Sequence, residues 1–101
     1  VLLNKIYEDV NIIKFEDFIE NQDSYKVVDV NKSHTLEDAM YVDLTKIDEK
    51  IDGLEYDDKI LLVCQRGKRA YLTYNIMKYY GYKNLSILEG GLSLNKEMGD
   101  L

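Results

Sequence analysis

Five short apolar runs punctuate this chain, and between them apolar residues recur at helical spacing. Asn11 to Ile13 predicts a short strand, and Phe15, Phe18 and Ile19, with Glu16, Asp17 and Glu20 among them, predict a helix after it. Asp23 and Ser24 make a turn, and the β-branched density of Tyr25 to Val30 marks a buried strand. A polar stretch from Asn31 to Asp38 leads into a further strand candidate, Ala39 to Leu44. Leu44, Ile47 and Ile51 then carry a helical stripe closed by Gly53. Lys59 to Cys64 is apolar on both faces, as expected for a central strand of a parallel sheet covered on both sides. From about Arg69 a longer helix presents Ala70, Leu72, Thr73, Ile76, Met77 and Tyr80 as its buried side and stops at Gly81. Leu85 to Leu88 is the last strand, Gly90 and Gly91 turn the chain, and Leu92 to Met98 has room for one or two helical turns. Strands alternating with helices predict a three-layer α/β/α fold around a mostly parallel sheet of about five strands.

That pattern puts the only cysteine, Cys64, at the carboxyl end of the central strand and just before a helix. Ligands bind at such strand ends in open α/β sheets. Unpaired N–H groups and the positive end of the dipole at a helix start stabilise an anion and favour a thiolate. Arg66, Lys68 and Arg69 add three positive charges to a chain whose net charge is -6. Gly67 adopts positive φ cheaply, which lets the loop curl until successive N–H groups point inward as an anion-binding nest. Cys64 is therefore the candidate nucleophile. The bland alternative is a buried structural cysteine, the commoner fate of a free thiol.

Composition narrows the function classes. A chain of 101 residues, 46% hydrophobic, suits a single domain over residues 1–101. One cysteine makes no internal disulfide, and without a C-x-x-C pair a dithiol redox enzyme and a structural zinc site are disfavoured. No metal or other cofactor is called for, and the lone thiol points to a reducing, cytoplasmic setting. No apolar run approaches a membrane span, so no membrane partner is expected. The acidic total argues against nucleic acid, whose phosphates need a basic face. The start at Val1 instead of methionine suggests a domain excised from a longer multidomain protein, or a processed terminus.

CQRGKRA (Cys64 to Ala70), followed by a helix and then GYKNLSILEGG (Gly81 to Gly91), resembles the active-site half of a rhodanese-like domain. VVDV ending at Val30 resembles that family's second strand, and HTLEDAMYVDL (His34 to Leu44) loosely matches its next region. The resemblance implies a sulfurtransferase. Cys64 would take a sulfane sulfur from thiosulfate or a persulfide, hold it as a persulfide, and pass it to a thiol or a cyanide-like acceptor. On that reading the backbone of Gln65, Arg66, Gly67, Lys68 and Arg69 forms the cradle. Arg66 and Lys68 attract the anionic donor, and Arg69 closes the loop and faces the anion. In the related cell-cycle phosphatases and arsenate reductases the loop has one more residue, which enlarges the cradle for a tetrahedral oxyanion. Here Arg69 is fifth after Cys64, and the tighter ring suits a single sulfur.

The chain also departs from the family pattern. Asn31 stands where an arginine often follows the Asp-Val pair, SHTLEDA lacks the usual proline, and Asn95 stands near the place of a common aromatic. The first two changes fall on the rim that would face substrate, and the third weakens the match in the last helix without touching the catalytic loop. Asp29, Glu89 and Gly90 are read as residues that hold the loop from behind, with Glu89 as a second candidate base. His34 is read as a turn or packing residue more than as a proton carrier. Tyr71, Tyr74, Tyr79, Tyr80 and Tyr82 gather on and after the long helix, and either cover the core edge or form a docking patch for a protein partner or fused domain. The runner-up function is a catalytically weak module of the same fold that binds or regulates a partner.

Overall fold

The computed structural model describes residues 10–33, 35–47, 50–96 and 98, so His34 lies outside the described residues. The elements run β1 (Ile12–Ile13), α1 (Phe15–Glu20), β2 (Lys26–Asp29), β3 (Met40–Tyr41), β4 (Lys59–Val63), α2 (Lys68–Tyr79), β5 (Asn84–Leu88) and α3 (Gly91–Leu94). The strands form one sheet in the order β1-β5-β4-β2-β3, and every neighbouring pair is parallel. β4 sits in the middle, as its unbroken apolar run predicts.

Alternation along the strands sends side chains to two separate cores. Ile60, Leu62 and Cys64 join Val28, Val30, Leu85 and Ile87 beneath Ala70, Tyr74 and Met77 of α2. Leu61, Val63 and Leu88 meet Phe18 of α1, Leu92 of α3, Leu36 and Met98 on the other face. The three layers expected from the sequence are these two cores with the sheet between them.

Three local expectations change. The strand expected over Ala39 to Leu44 shrinks to Met40–Tyr41, because β3 is an edge strand that meets β2 only at Val28↔Met40 and Asp29↔Tyr41. Past it, the Asp43 carboxylate accepts the Thr45 N–H at 3.0 Å and its hydroxyl at 2.8 Å. That cap turns the chain into a single 3₁₀ turn, Leu44–Lys46, in place of the longer helix that Leu44, Ile47 and Ile51 suggested. Ile47 and Ile51 still pack on the α2-side core. The third change is in α2, where Leu72 is 49% exposed and Tyr74 is buried in its stead. At 3.6 residues per turn Leu72 stands about 200° around the helix from Ala70, away from the stripe that Ala70, Thr73, Tyr74 and Met77 define.

The end of α2 follows expectation. Tyr82 N–H donates to Met77 O and Gly81 N–H to Lys78 O, both at 3.1 Å, the paired bonds of a Schellman stop. Tyr82 then turns inward and packs against Tyr56 in a tilted pair at 4.8 Å between ring centroids, while its hydroxyl accepts the Ile51 N–H at 2.8 Å. Of the clustered tyrosines, Tyr74 and Tyr82 are thus core residues and Tyr79 is 85% exposed. No helix among the described residues is long and apolar enough to cross a membrane.

Candidate active site at the carboxyl end of β4

Cys64 follows the last residue of β4 and is 2% exposed. Gly67, at φ 95°, is the N-cap of α2 and has no side chain to satisfy the first-turn N–H groups. The cysteine fills that role. Gly67 N–H donates to Cys64 Sγ at 2.9 Å and Ala70 N–H at 3.3 Å, so the sulfur acts as the capping acceptor of the helix. Two N–H donors of the loop and the first helical turn thus converge on that sulfur. Among the described residues, no protein acceptor takes the N–H of Arg66, Lys68 or Arg69. The loop therefore holds a thiol beside three unspent backbone donors.

The expected site residues divide into those the fold gathers at the sulfur and those it uses elsewhere. Arg66 and Lys68 are exposed at the loop and, among the described residues, form no ion pair. Arg69 Nε donates to Val30 O at 2.8 Å, which closes the loop onto the end of β2, and no hydrogen bond joins it to Sγ. Its charge reaches Asp43, whose carboxyl is held below the ordinary range mainly by the Thr45 hydroxyl and N–H, with Lys46 and Arg69 adding to them. Gln65 N–H, expected within the cradle, is instead donated to Asn31 Oδ1 at 2.8 Å.

Asp29 is fully buried. Its Oδ1 accepts Asn31 N–H at 3.0 Å and Asn31 Nδ2 at 2.7 Å, and its Oδ2 accepts the Leu36 N–H at 2.9 Å and the Thr35 N–H. With four donors on it, Asp29 organises the segment after β2 and has no lone pair to spare for a proton-transfer role. Glu89 is exposed, and its part in the site is played by its backbone: its N–H donates to Ile13 O at 2.8 Å and its carbonyl accepts Asn95 Nδ2 at 2.6 Å. Gly90 leads into α3 at φ 76°.

The sequence reading overlooked how α3 grips the loop. Leu92 N–H donates to Cys64 O at 3.0 Å and Ser93 N–H to Gln65 O at 2.9 Å. Gly91 is required for this approach, since a Cβ there would lie 2.5 Å from Cys64 O and 2.7 Å from Gln65 O. The second glycine of the double-glycine turn was the available signal. Asn31 was visible only as a departure from a pattern, with Asp29 two residues before it. A groove of about 750 Å³ lined by Phe18, Tyr25, Leu36 and Met98 lies on the opposite face and includes none of the loop residues.

A parallel α/β sheet that delivers a thiol to a ring of backbone N–H groups at a helix start defines a cysteine-centred domain suited to binding an anion. The chain belongs to the rhodanese-like domain family, whose model matches residues 9–97. Among solved structures it is similar to a rhodanese homolog from Thermus thermophilus, with 30% identity, a TM-score of 0.66, and coverage of 83% of this chain and 99% of that one. A rhodanese-related protein from Thermoplasma volcanium matches at 25% identity and a TM-score of 0.70, over 86% of this chain and 92% of that one. A NAD-dependent persulfide reductase from A. fulgidus matches at 23% identity and a TM-score of 0.66, over 91% of this chain but only 17% of its own length. No curated protein matches the chain in sequence.

Proposed function

We propose that this domain is a sulfurtransferase that carries a sulfane sulfur on Cys64. One observation carries the reading: the Gly67 and Ala70 N–H groups point at Sγ, and among the described residues the neighbouring N–H groups of Arg66, Lys68 and Arg69 are left without protein acceptors. A thiolate attacks the outer sulfur of thiosulfate, the S–S bond breaks, and sulfite leaves with the electron pair. The sulfur stays on Cys64 as a persulfide anion, a second atom for the free donors to hold. An acceptor nucleophile, cyanide or a thiolate, then attacks the outer sulfur, and the Cys64 thiolate is released unchanged. No external oxidant or reductant enters. Arg66 and Lys68, exposed at the mouth, are the charges that would draw an anionic donor.

Loop length supports sulfur over phosphate, because Arg69 is fifth after Cys64 and is spent on Val30 O. A lone thiol used in this way suits a reducing, cytoplasmic compartment. The match to 17% of the A. fulgidus reductase supports a further reading, that the domain works beside a partner or fused domain that supplies or consumes the persulfide. One observation favours the second function, a binding module without turnover: Cys64 is nearly buried.

Intact-mass analysis after brief exposure to thiosulfate or glutathione persulfide separates the two. The expected result is a gain of one sulfur atom that cyanide removes and that Cys64→Ser never acquires. A thiol that alkylates readily yet accepts sulfur from no donor would establish the binding module instead.

A further inference from the structure

The peptide bond joining Cys64 to Gln65 is held at both ends. Its carbonyl accepts the Leu92 N–H at 3.0 Å, and its N–H donates to Asn31 Oδ1 at 2.8 Å across 34 residues of sequence. Asn31 is itself fixed, since its Nδ2 donates to Asp29 Oδ1 at 2.7 Å and its own N–H to the same oxygen at 3.0 Å. The amide has one consistent orientation, nitrogen toward the carboxylate and oxygen toward the N–H donor. Asn31 is 8% exposed, with both ends of its side chain engaged within the protein.

We propose that Asn31 is a positioning residue that locks the Cys64–Gln65 peptide, turning the Gln65 N–H away from the sulfur and leaving the cradle to the N–H groups from Arg66 to Ala70. This peptide carries the backbone directly out of Cys64, so its plane sets how the loop rises around Sγ. Left free to rotate, it would let the Gln65 N–H swing toward the sulfur or toward water and would loosen the ring that Gly67 and Ala70 complete. The role needs a donor toward Asp29 and an acceptor toward Gln65 on one short side chain, which an amide provides. An arginine has five donors and no acceptor and could not make the Gln65 bond. Asparagine at this position therefore supplies a clamp and no charge. It also leaves attraction of an anionic donor to Arg66 and Lys68.

The kinetic part of the test rests on the sulfur-transfer reading, and the structural part does not. Amide hydrogen exchange of Gln65 is compared with that of Leu62, deep in β4, in the wild type, Asn31→Ala and Asn31→Arg, and persulfide loading is timed in each. Loss of one hydrogen bond to a reacting loop predicts exchange at Gln65 faster by about tenfold, with Leu62 unchanged, and loading slower by about tenfold in both variants. Continued protection of Gln65 in Asn31→Ala would overturn the clamp, as would equal acceleration at Leu62, which marks general destabilisation. Loading by Asn31→Arg at the wild-type rate would overturn it too, since charge and not clamping would then matter at this position. If Asn31→Ala does not fold, Asn31→Leu serves, better than an aspartate, which keeps an acceptor for the Gln65 N–H. Leucine keeps the size with neither donor nor acceptor, so Gln65 should lose protection, and a protected Gln65 there refutes the proposal. Should the wild type accept no sulfur at all, the proposed function fails, and Gln65 exchange still decides the clamp.

Discussion

Two glycines at the site do different jobs, and their alanine variants separate strain from overlap. Gly67 at φ 95° has room, since a Cβ would come no nearer than 3.8 Å to the Tyr71 ring. Gly67→Ala therefore costs only the backbone strain, about 1–3 kcal/mol, and relief of that strain draws the Gly67 N–H off Sγ. Gly91 at φ 59° lies in a conformation that other residues sometimes adopt, but its Cβ would overlap the carbonyl oxygens of Cys64 and Gln65. Gly91→Ala should push α3 off the loop, break the Leu92 and Ser93 bonds and cost about 2–4 kcal/mol. Urea unfolding checks both, with Gly91→Ala expected to be the worse. Cys64, Gly67 and the basic residues were legible as a site because their signal is local, one thiol followed at once by cations and a glycine. Asn31, Leu92 and Ser93 were far less so, because the departure at Asn31 and the glycine before Leu92 do not by themselves show that these residues reach the loop.

The long helix α2 shows how a pattern can be right in kind and differ in detail: Leu72 is exposed, Tyr74 is buried, and Ile76 and Tyr80 are only half-buried. Its buried stripe, Ala70, Thr73, Tyr74 and Met77, follows helical spacing, and the buried Thr73 hydroxyl is satisfied by donation to Arg69 O at 2.8 Å. Hydropathy alone drew Leu72 into that stripe, while geometry puts it in water. Leu72→Gln should change stability by no more than about 0.5 kcal/mol, whereas Met77→Ala should cost about 2–5 kcal/mol, both read from thermal or urea unfolding. The two short strands were harder to bound. β1 and β3 lie at the two edges of the sheet, where pairing on one side only lets a cap such as Asp43 end a strand early.

Over the whole molecule, one carboxylate helps tie the segment between β3 and β4 to the sheet. Asp58 Oδ2 accepts the Glu55 N–H at 2.7 Å and Lys26 Nζ at 2.8 Å, joining this segment to the start of β2. The Glu55 N–H first, and Lys26 after it, hold the Asp58 carboxyl below its ordinary value of 3.8. Because the folded value is the lower one, the unfolded chain takes up the proton first as pH falls. The stabilisation is complete above the ordinary value and disappears as pH drops through the folded one. The gap in urea midpoint between the wild type and Asp58→Asn should therefore close as pH falls from about 5 through the lowered folded value; a gap that stays constant would show that the carboxylate's charge is irrelevant to the tie. The alternation of strands and helices, the central place of β4 and the thiol at its carboxyl end are all written in short-range periodicity, because burial on two sheet faces imposes it. Which atoms surround that thiol was settled only when β2 came to lie beside β4 and α3 came back over the loop. Strand order and register bring Asn31 to Gln65 and Leu92 to Cys64, and those distant partners hold the two ends of the Cys64–Gln65 peptide.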